Sequence, residues 1–179
     1  MSVREVLRFG MAICLLVVSG HTAESPKLEP NLEPLRPLLG KVYRGTFAGS
    51  KPESPIVDVM RWERALNGKA VKSCHSINNG IYGGETIYTW HEEAKVIRYH
   101  YFTTAGFMTV GTLTCKDGKF HTLEKISGKA GGITEVRAVS ELKPDGSFHV
   151  KTEQLRNGEW SPGHEATYRE DPEAKVEFK

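Results

Sequence analysis

The stretch YTWHEEAKVIRYHYFT (residues 88–103) gives the clearest indication of the fold. Five of its sixteen residues are aromatic and two are histidines. With Glu93-Ala94 as a two-residue turn, Tyr88 on the first half lies opposite Tyr99 on the second. Side chains alternate between the two faces of a β-strand. The stretch therefore predicts a β-hairpin with two chemically different faces.

The two faces of this hairpin differ in polarity. One face is large, aromatic and uncharged and carries Thr86, Tyr88, Trp90, Ile97, Tyr99 and Tyr101. The other face carries Ile87, Thr89, His91, Val96, Arg98 and His100. Because Arg98 needs water, we expect the aromatic face to point into the protein and both histidines to point outward. A one-residue slip in register would reverse the two faces.

The rest of the chain repeats this alternation of short β-rich runs and turns. Asn-Gly and Asp-Gly pairs are the strongest short hairpin signals, and they occur at Asn67-Gly68, Asp117-Gly118, Asp145-Gly146 and Asn157-Gly158. Further connections are expected at residues 78–84 and near Gly106. No long stretch between residues 39 and 170 has helical periodicity. The pattern predicts an all-β, antiparallel up-and-down meander of about ten strands.

A meander of this length leaves two exposed strand edges unless it closes on itself, and closure into a barrel removes both edges. A barrel of eight to ten strands has room for roughly one small ligand. We therefore predict a closed antiparallel β-barrel. The alternative is a flat β-sandwich whose interior is filled by its own side chains.

The run PLLGKVYRGTF (residues 37–47) resembles the opening strand of bacterial lipocalin-like families in the calycin group. Those families have a leucine-rich turn followed by a glycine, an aromatic residue and a second glycine; Tyr43 stands where they usually have tryptophan. The tyrosine-rich hairpin, the Asp-Gly turns and a closing Tyr-Arg are similar to their plan over residues 35–170. The resemblance implies a lipocalin-like barrel in which Arg169 of the last strand covers Tyr43 by a cation–π contact.

The N-terminus has the pattern of a signal peptide. Arg4 and Arg8 precede an apolar run at residues 9–18, and small or polar residues follow. The run is shorter than the roughly 20 residues that span a bilayer, so we expect cleavage and export to the periplasm or the medium; an uncleaved anchor is the alternative. The predicted organisation is a signal peptide (1–23), a proline-rich linker (24–37), the barrel domain (38–171) and a polar tail (172–179).

Charge and cysteine content limit the possible partners. The formal net charge is only +2 and no basic run is present, so nucleic acid binding is not expected. Without the leader, Cys74 and Cys115 remain. In an oxidising compartment they either form a disulfide, which would stabilise the fold by about 3–4 kcal/mol, or stay as buried free thiols. The absence of closely spaced Cys/His ligands argues against a zinc site.

Two other histidines, His75 and His164, are expected to point into the barrel. A haem site needs an inward histidine over an apolar cavity, but neither residue lies in a haem-binding signature, so no cofactor is predicted. Ser73 precedes His75 on the same strand face, about 6–7 Å away, which favours polar lining over a hydrolytic pair. The last strand is expected to turn inward Trp160, His164, Ala166 and Tyr168.

Glu124 is the carboxylate most clearly placed to face the interior. It alternates with Phe120 and Ile126 along one strand. A buried carboxyl group has a raised pKa and can act as an acid or a base. Alternatively, Glu124 pairs with Arg61 or Arg64 and has no chemical role.

The sequence thus predicts an exported lipocalin-like barrel that binds a small apolar or amphipathic molecule. The predicted ligand-binding residues are Trp62, His75, Tyr88, Trp90, Tyr99, Tyr101, Glu124, Gln154 and His164. No catalytic residue and no metal ligand is assigned. Two alternatives remain: an isomerase or hydrolase that acts on a small lipid-like substrate through an inward glutamate or histidine, and an envelope interaction protein without a pocket.

Overall fold

The computed structural model describes residues 27–128 and 130–179. Ten antiparallel strands form a closed barrel in which each strand pairs with its neighbour in sequence and β10 returns to β1. The strands are β1 (Val42–Phe47), β2 (Val57–Ala65), β3 (Ala70–Ile77), β4 (Tyr82–His91), β5 (Val96–Thr103), β6 (Met108–Lys116), β7 (Lys119–Ser127), β8 (Ile133–Leu142), β9 (Phe148–Arg156) and β10 (Glu159–Glu170). The predicted up-and-down barrel is confirmed. The predicted signal peptide lies outside the described residues.

The β4–β5 hairpin has the expected register. Tyr88 pairs with Tyr99, and the last pair before the turn is His91 with Val96. The turn therefore has four residues instead of two, but the parity of the strands is unchanged. His100 is exposed on the outer face, and the ring of His91 accepts a hydrogen bond from the turn's own backbone. Both histidines lie outside the barrel, as predicted.

Several connections use the predicted turn pairs. Asp117 and Gly118 both have positive φ, 52° and 74°, which is the type I′ conformation that matches strand twist. Asn157-Gly158 behaves in the same way. Asn67-Gly68 instead lies in a short 3₁₀ helix (Leu66–Gly68) between β2 and β3.

A 3₁₀ helix at Pro30–Leu38 closes one end of the barrel. Its residues Leu32, Leu35 and Leu38 are fully buried in the main hydrophobic cluster. Their spacing of three matches the three residues per turn of a 3₁₀ helix, so all three leucines lie on one face. The predicted linker (24–37) therefore includes most of a helix that caps the barrel. The proline-rich composition of the segment did not indicate this helix.

The C-terminal segment packs along the outside of the barrel. The backbone N–H of Asp171 donates to the carbonyl of Val42 at 2.9 Å. Further along, the N–H of Glu177 donates to the Ser76 hydroxyl at 3.0 Å. The residues that the sequence assigned to a polar tail are thus tied to β3.

The expected cation–π contact between Arg169 and Tyr43 is wrong. The β1–β10 register pairs Tyr43 with Glu170, so Tyr43 and Arg169 face opposite sides of the sheet. The Tyr43 ring is buried near Phe148, with ring centroids 6.1 Å apart. Arg169 is on the outside, within 3.6 Å of an Asp145 oxygen.

The inward placement of Trp160 is also wrong. The β9–β10 pairing contains an irregularity between Pro162 and Glu165, and this bulge reverses the parity of the preceding residues. The Trp160 ring therefore lies on the outer surface, with the Arg137 guanidinium 4.3 Å from its centroid. Beyond the bulge, Tyr168 points inward as expected.

Both cysteines are free thiols. Cys74 is buried on the outer face of β3, where its thiol donates to Glu85 at 3.3 Å. Cys115 is exposed near the end of β6. The disulfide alternative is therefore absent from this structure, and only one of the two thiols is buried.

Candidate functional site

The barrel encloses a cavity of about 560 Å³ to which every strand contributes. This volume lies within the range of small-molecule sites. We call one end the floor; it is formed by Leu35, Leu38, Trp62, Phe120 and Phe148. We call the opposite end the mouth; it is formed by Phe47, Phe107, Ile133 and His164.

The mouth gives the cavity contact with solvent. The His164 ring stacks on the Phe47 ring, with centroids 4.6 Å apart and planes 10° from parallel. His164 nevertheless remains exposed, although it also lines the cavity. At the floor, by contrast, both cavity-lining leucines of the 3₁₀ helix are fully buried. The cavity is therefore closed at the floor and reached through the mouth.

Eight of the nine predicted ligand-binding residues line this cavity. They are Trp62, His75, Tyr88, Tyr99, Tyr101, Glu124, Gln154 and His164. The ninth residue, Trp90, packs against the edge of the core, and its indole N–H donates to Glu92 at 2.7 Å. The structure brings the eight residues together; their contact with a ligand stays a prediction.

A hydrogen-bond network crosses one wall of the cavity. Asp58 is 3% exposed, accepts from the Tyr168 hydroxyl at 2.9 Å and lies 3.0 Å from His75 Nδ1. The other imidazole nitrogen of His75 is 2.6 Å from the Tyr101 hydroxyl. That hydroxyl in turn lies 3.1 Å from the hydroxyl of Tyr82. The chain of contacts holds the His75 ring in one orientation and carries hydrogen bonding from a buried carboxylate into the cavity.

The tyrosines of this site keep their protons. Burial raises the pKa of Tyr101 and Tyr168 well above the usual value, and the nearby Asp58 carboxylate raises both further. Burial also raises the pKa of Tyr88 to about 12. Their hydroxyl groups are therefore hydrogen-bond donors over the whole physiological pH range.

Glu124 forms a second polar point on the cavity wall. Burial raises the pKa of its carboxyl group, while hydrogen bonds from Thr109 and Tyr99 and the charge of His75 oppose the rise. The Thr109 hydroxyl donates to Glu124 Oε2 at 2.7 Å. Since burial is the largest of these effects, the environment favours the protonated acid.

Neither arginine suggested by the sequence reaches Glu124. Arg61 lies 3.0 Å from Glu63 on the outer face of β2. Arg64 donates to the Lys27 carbonyl at 2.7 Å. The alternative in which Glu124 is neutralised by an ion pair with Arg61 or Arg64 is therefore wrong, and its carboxyl group is free to face the cavity.

Three glycines make room for three tyrosine rings that lie flat against the barrel wall. The pairs are Gly45–Tyr168, Gly84–Tyr101 and Gly111–Tyr99. In each pair a Cβ on the glycine would lie between 2.3 and 2.7 Å from a ring carbon of the tyrosine. The flat rings extend their hydroxyl groups towards the polar side chains of neighbouring strands. Glycine is thus required here for close approach.

The prediction from sequence left three residues of these polar contacts out of the site: Asp58, Tyr82 and Thr109. It expected Tyr168 to point inward but gave this residue no role in the site. A signal was present for Asp58, because it has the same strand parity as Trp62, which was predicted to bind the ligand. For Thr109 and Tyr82 no comparable signal exists. Their contacts depend on how β4, β5, β6 and β7 are staggered, which alternation within one strand does not specify.

Two further findings concern residues 27–128 and 130–179. No group of three histidine, cysteine, aspartate or glutamate side chains among them is arranged to hold a metal ion. Across the same residues no helix has the length and apolarity needed to cross a membrane.

Comparisons with known proteins support the fold. No family model matches the chain, and no curated protein matches it. Among solved structures, the barrel is similar to the crystal structure of Rv2717c from M. tuberculosis, with a TM-score of 0.57 and 14% sequence identity. The match covers 81% of this chain and 99% of that chain. At this identity the likeness concerns the fold alone, and it is consistent with a calycin-like barrel.

Proposed function

We propose that the chain is a lipocalin-like barrel that binds one small apolar or amphipathic molecule non-covalently. The observation that carries this proposal is the cavity of about 560 Å³, closed by the 3₁₀ helix and lined largely by aromatic and aliphatic side chains. A few polar groups in an otherwise apolar pocket are typical of small-molecule sites. A barrel that served only as a scaffold would gain stability by filling this space.

The distribution of polarity favours an amphipathic molecule. At the floor, Trp62 stacks on Tyr88 with ring centroids 5.4 Å apart, and Leu35 adds an aliphatic surface. Partway along the wall, His75 and Glu124 offer hydrogen-bonding groups. A ligand with an apolar body and one polar group would satisfy both zones. Export to the periplasm or the medium is part of the proposal and rests on the signal-peptide pattern of residues 1–23.

The test is to purify the chain from its native compartment and extract it with organic solvent. Mass spectrometry should find one small amphipathic molecule near a 1:1 ratio. A Soret band in the absorbance spectrum would replace this proposal with haem binding.

A matched pair of variants links the molecule to the cavity. Val136 lines the cavity, whereas Val139 on the same strand is 41% exposed on the outside. Val136→Trp should remove the copurified molecule by filling the space, and Val139→Trp should retain it. Retention by both variants would place the molecule elsewhere and contradict the proposal.

A second candidate function is catalysis on a small lipid-like molecule. The observation that favours it is the His75 ring, held by Asp58 at 3.0 Å, in the same cavity as a carboxyl group whose environment favours protonation. Such a pair is suited to move a proton in an isomerisation or a hydrolysis. In that case His75→Ala and Glu124→Gln would each abolish turnover of the copurified molecule, followed by NMR, and leave its binding intact. The open cavity argues against the alternative of an envelope interaction protein without a pocket.

A further inference from the structure

The charge of the cavity lining is one-sided. Among the described residues that line the cavity there is no lysine and no arginine. The ionisable side chains there, apart from the tyrosines, are two carboxyl groups, Asp58 and Glu124, and two histidines, His75 and His164. Among these described lining residues, a carboxylate, phosphate or sulfate group of a ligand would find no lysine or arginine to pair with it. Burying an unpaired charge is costly, so the lining disfavours an anionic ligand.

The two carboxyl groups also leave little for a cationic ligand. Asp58 is already engaged by the Tyr168 hydroxyl and by His75. Glu124 accepts a hydrogen bond from Thr109, and burial favours its protonated form. An ammonium group would have to lose its hydration and also displace the hydrogen bonds that Thr109 and Tyr99 donate to Glu124. The lining therefore disfavours a cationic ligand as well.

The Glu124 carboxyl group has a feature that suits a neutral ligand. A protonated carboxyl group has one O–H donor. The hydroxyl groups of Thr109 and Tyr99 donate to the Glu124 oxygens and do not use this donor. On the neighbouring strands β8 and β9, Val136, Ala138 and Val150 give the cavity an apolar surface, while Ser140, Thr152 and Gln154 add polar groups. A donor next to an apolar wall fits an oxygen acceptor attached to a hydrocarbon body.

We propose that the ligand is uncharged and that its carbonyl oxygen, from a ketone or an ester, accepts a hydrogen bond from the Glu124 side chain while its hydrocarbon part lies towards the floor. This inference rests on the proposed binding function and specifies the chemical class of the ligand.

The test uses three probes with the same ten-carbon chain at pH 7: 2-decanone, decanoate and decylammonium. Dissociation constants are measured by equilibrium dialysis against the full chain. We expect 2-decanone to bind at least tenfold more tightly than either ion, because each ion would be buried without a partner. In addition, the carbonyl stretching frequency of bound 2-decanone should lie below its value in hexane.

Variants at position 124 test the assigned donor. Glu124→Leu should weaken 2-decanone binding about fivefold by removing the hydrogen bond, whereas Glu124→Gln, whose amide N–H can donate, should stay within about twofold of the wild type. Glu153→Leu, which lies outside the barrel where Glu153 pairs with Arg137, controls for the change of side chain. The infrared shift gives a second readout on the wild type if Glu124→Leu does not fold.

The outcomes separate the two proposals. Tightest binding of decanoate or decylammonium overturns the inference and leaves the binding function standing. Failure of all three probes to bind overturns both. Tight binding of 2-decanone without an infrared shift, or unaffected by Glu124→Leu in a folded variant, overturns the role of Glu124.

Discussion

The floor and the mouth of the barrel differ in how much apolar surface they bury. At the floor, Leu32, Leu35 and Leu38 have no exposed surface. At the mouth end, Ile81 in the β3–β4 connection is 69% exposed, and His164 is an exposed residue. Apolar burial is the main source of stability. The comparison indicates that the floor stabilises the fold by burying apolar side chains. At the mouth, side chains remain exposed, and the cavity is open to solvent.

The largest effect should follow from a change at the floor. Leu35→Ala removes a fully buried side chain that the rest of the cluster can replace only in part, so we expect the free energy of unfolding to fall by about 2–5 kcal/mol. Urea denaturation monitored by circular dichroism measures the change.

The matched change at the mouth end is Ile81→Ala. Because Ile81 is largely exposed, the same assay should detect a change of no more than about 0.5 kcal/mol. Equal losses in the two variants would show that the ends do not differ in their contribution to stability.

An intermediate effect should come from the cavity wall between the two ends. In Gly111→Ala the new Cβ would lie 2.3 Å from the Tyr99 ring and 2.8 Å from a backbone oxygen of Leu123. Tyr99 or the strand must move, and we expect a loss of about 1–3 kcal/mol together with weaker ligand binding, both measured on the purified variant.

Gly49, in the β1–β2 connection at the mouth end, provides the control. A Cβ there would meet no atom within 4 Å, so Gly49→Ala should change the unfolding free energy by less than about 0.5 kcal/mol. If both alanine variants were equally stable, the close packing of glycine against tyrosine would not matter.

The smallest effect concerns the pH dependence of stability. The folded state raises the pKa of Glu124, so the folded chain binds this proton more tightly than the unfolded chain, and the stability that results is lost as pH rises above the ordinary value of 4.5. Glu124→Gln removes this dependence. In urea denaturation from pH 5 to pH 8, the stability of the variant relative to the wild type should therefore increase with pH.

The groups that act on the Glu124 carboxyl group, His75, Tyr99 and Thr109, are present in both proteins. On the outer surface the sign reverses, because Arg137 lowers the pKa of Glu153 and Glu153→Gln should lose stability at neutral pH. A difference between Glu124→Gln and wild type that did not vary with pH would contradict the raised pKa of Glu124.

Alternation along single strands was enough to predict much of this molecule. The register of the β4–β5 hairpin and the inward faces of Tyr88, Tyr99 and Tyr101 follow from a period of two and one even-numbered turn. The Asp-Gly and Asn-Gly pairs predicted four of the nine connections between strands, because their backbone conformations suit few other structures.

The errors arose where another rule replaced strand alternation. In the proline-rich segment, leucines at every third position form one face of a 3₁₀ helix, a period that differs from strand alternation. In β10 a bulge reversed the face of Trp160. The polar network joins side chains from strands far apart in sequence, such as Tyr168 to Asp58, 110 residues apart. Such contacts depend on the stagger of the closed barrel, which no local pattern specifies.

The pairing of β1 with β10 has a consequence for how the chain folds. Nine of the ten strand pairs join neighbours in sequence, but the tenth joins Tyr43 to Glu170 and Phe47 to Ala166. Hairpins can form as each strand becomes available, whereas the β1–β10 pair cannot form until the last strand is available. Until then β1 and β9 have free edges that are open to association with other chains. Because the entropy of loop closure grows only slowly with chain length, the β1–β10 pairing slows folding more than it lowers stability. The chain is therefore most prone to aggregation before these two strands have paired.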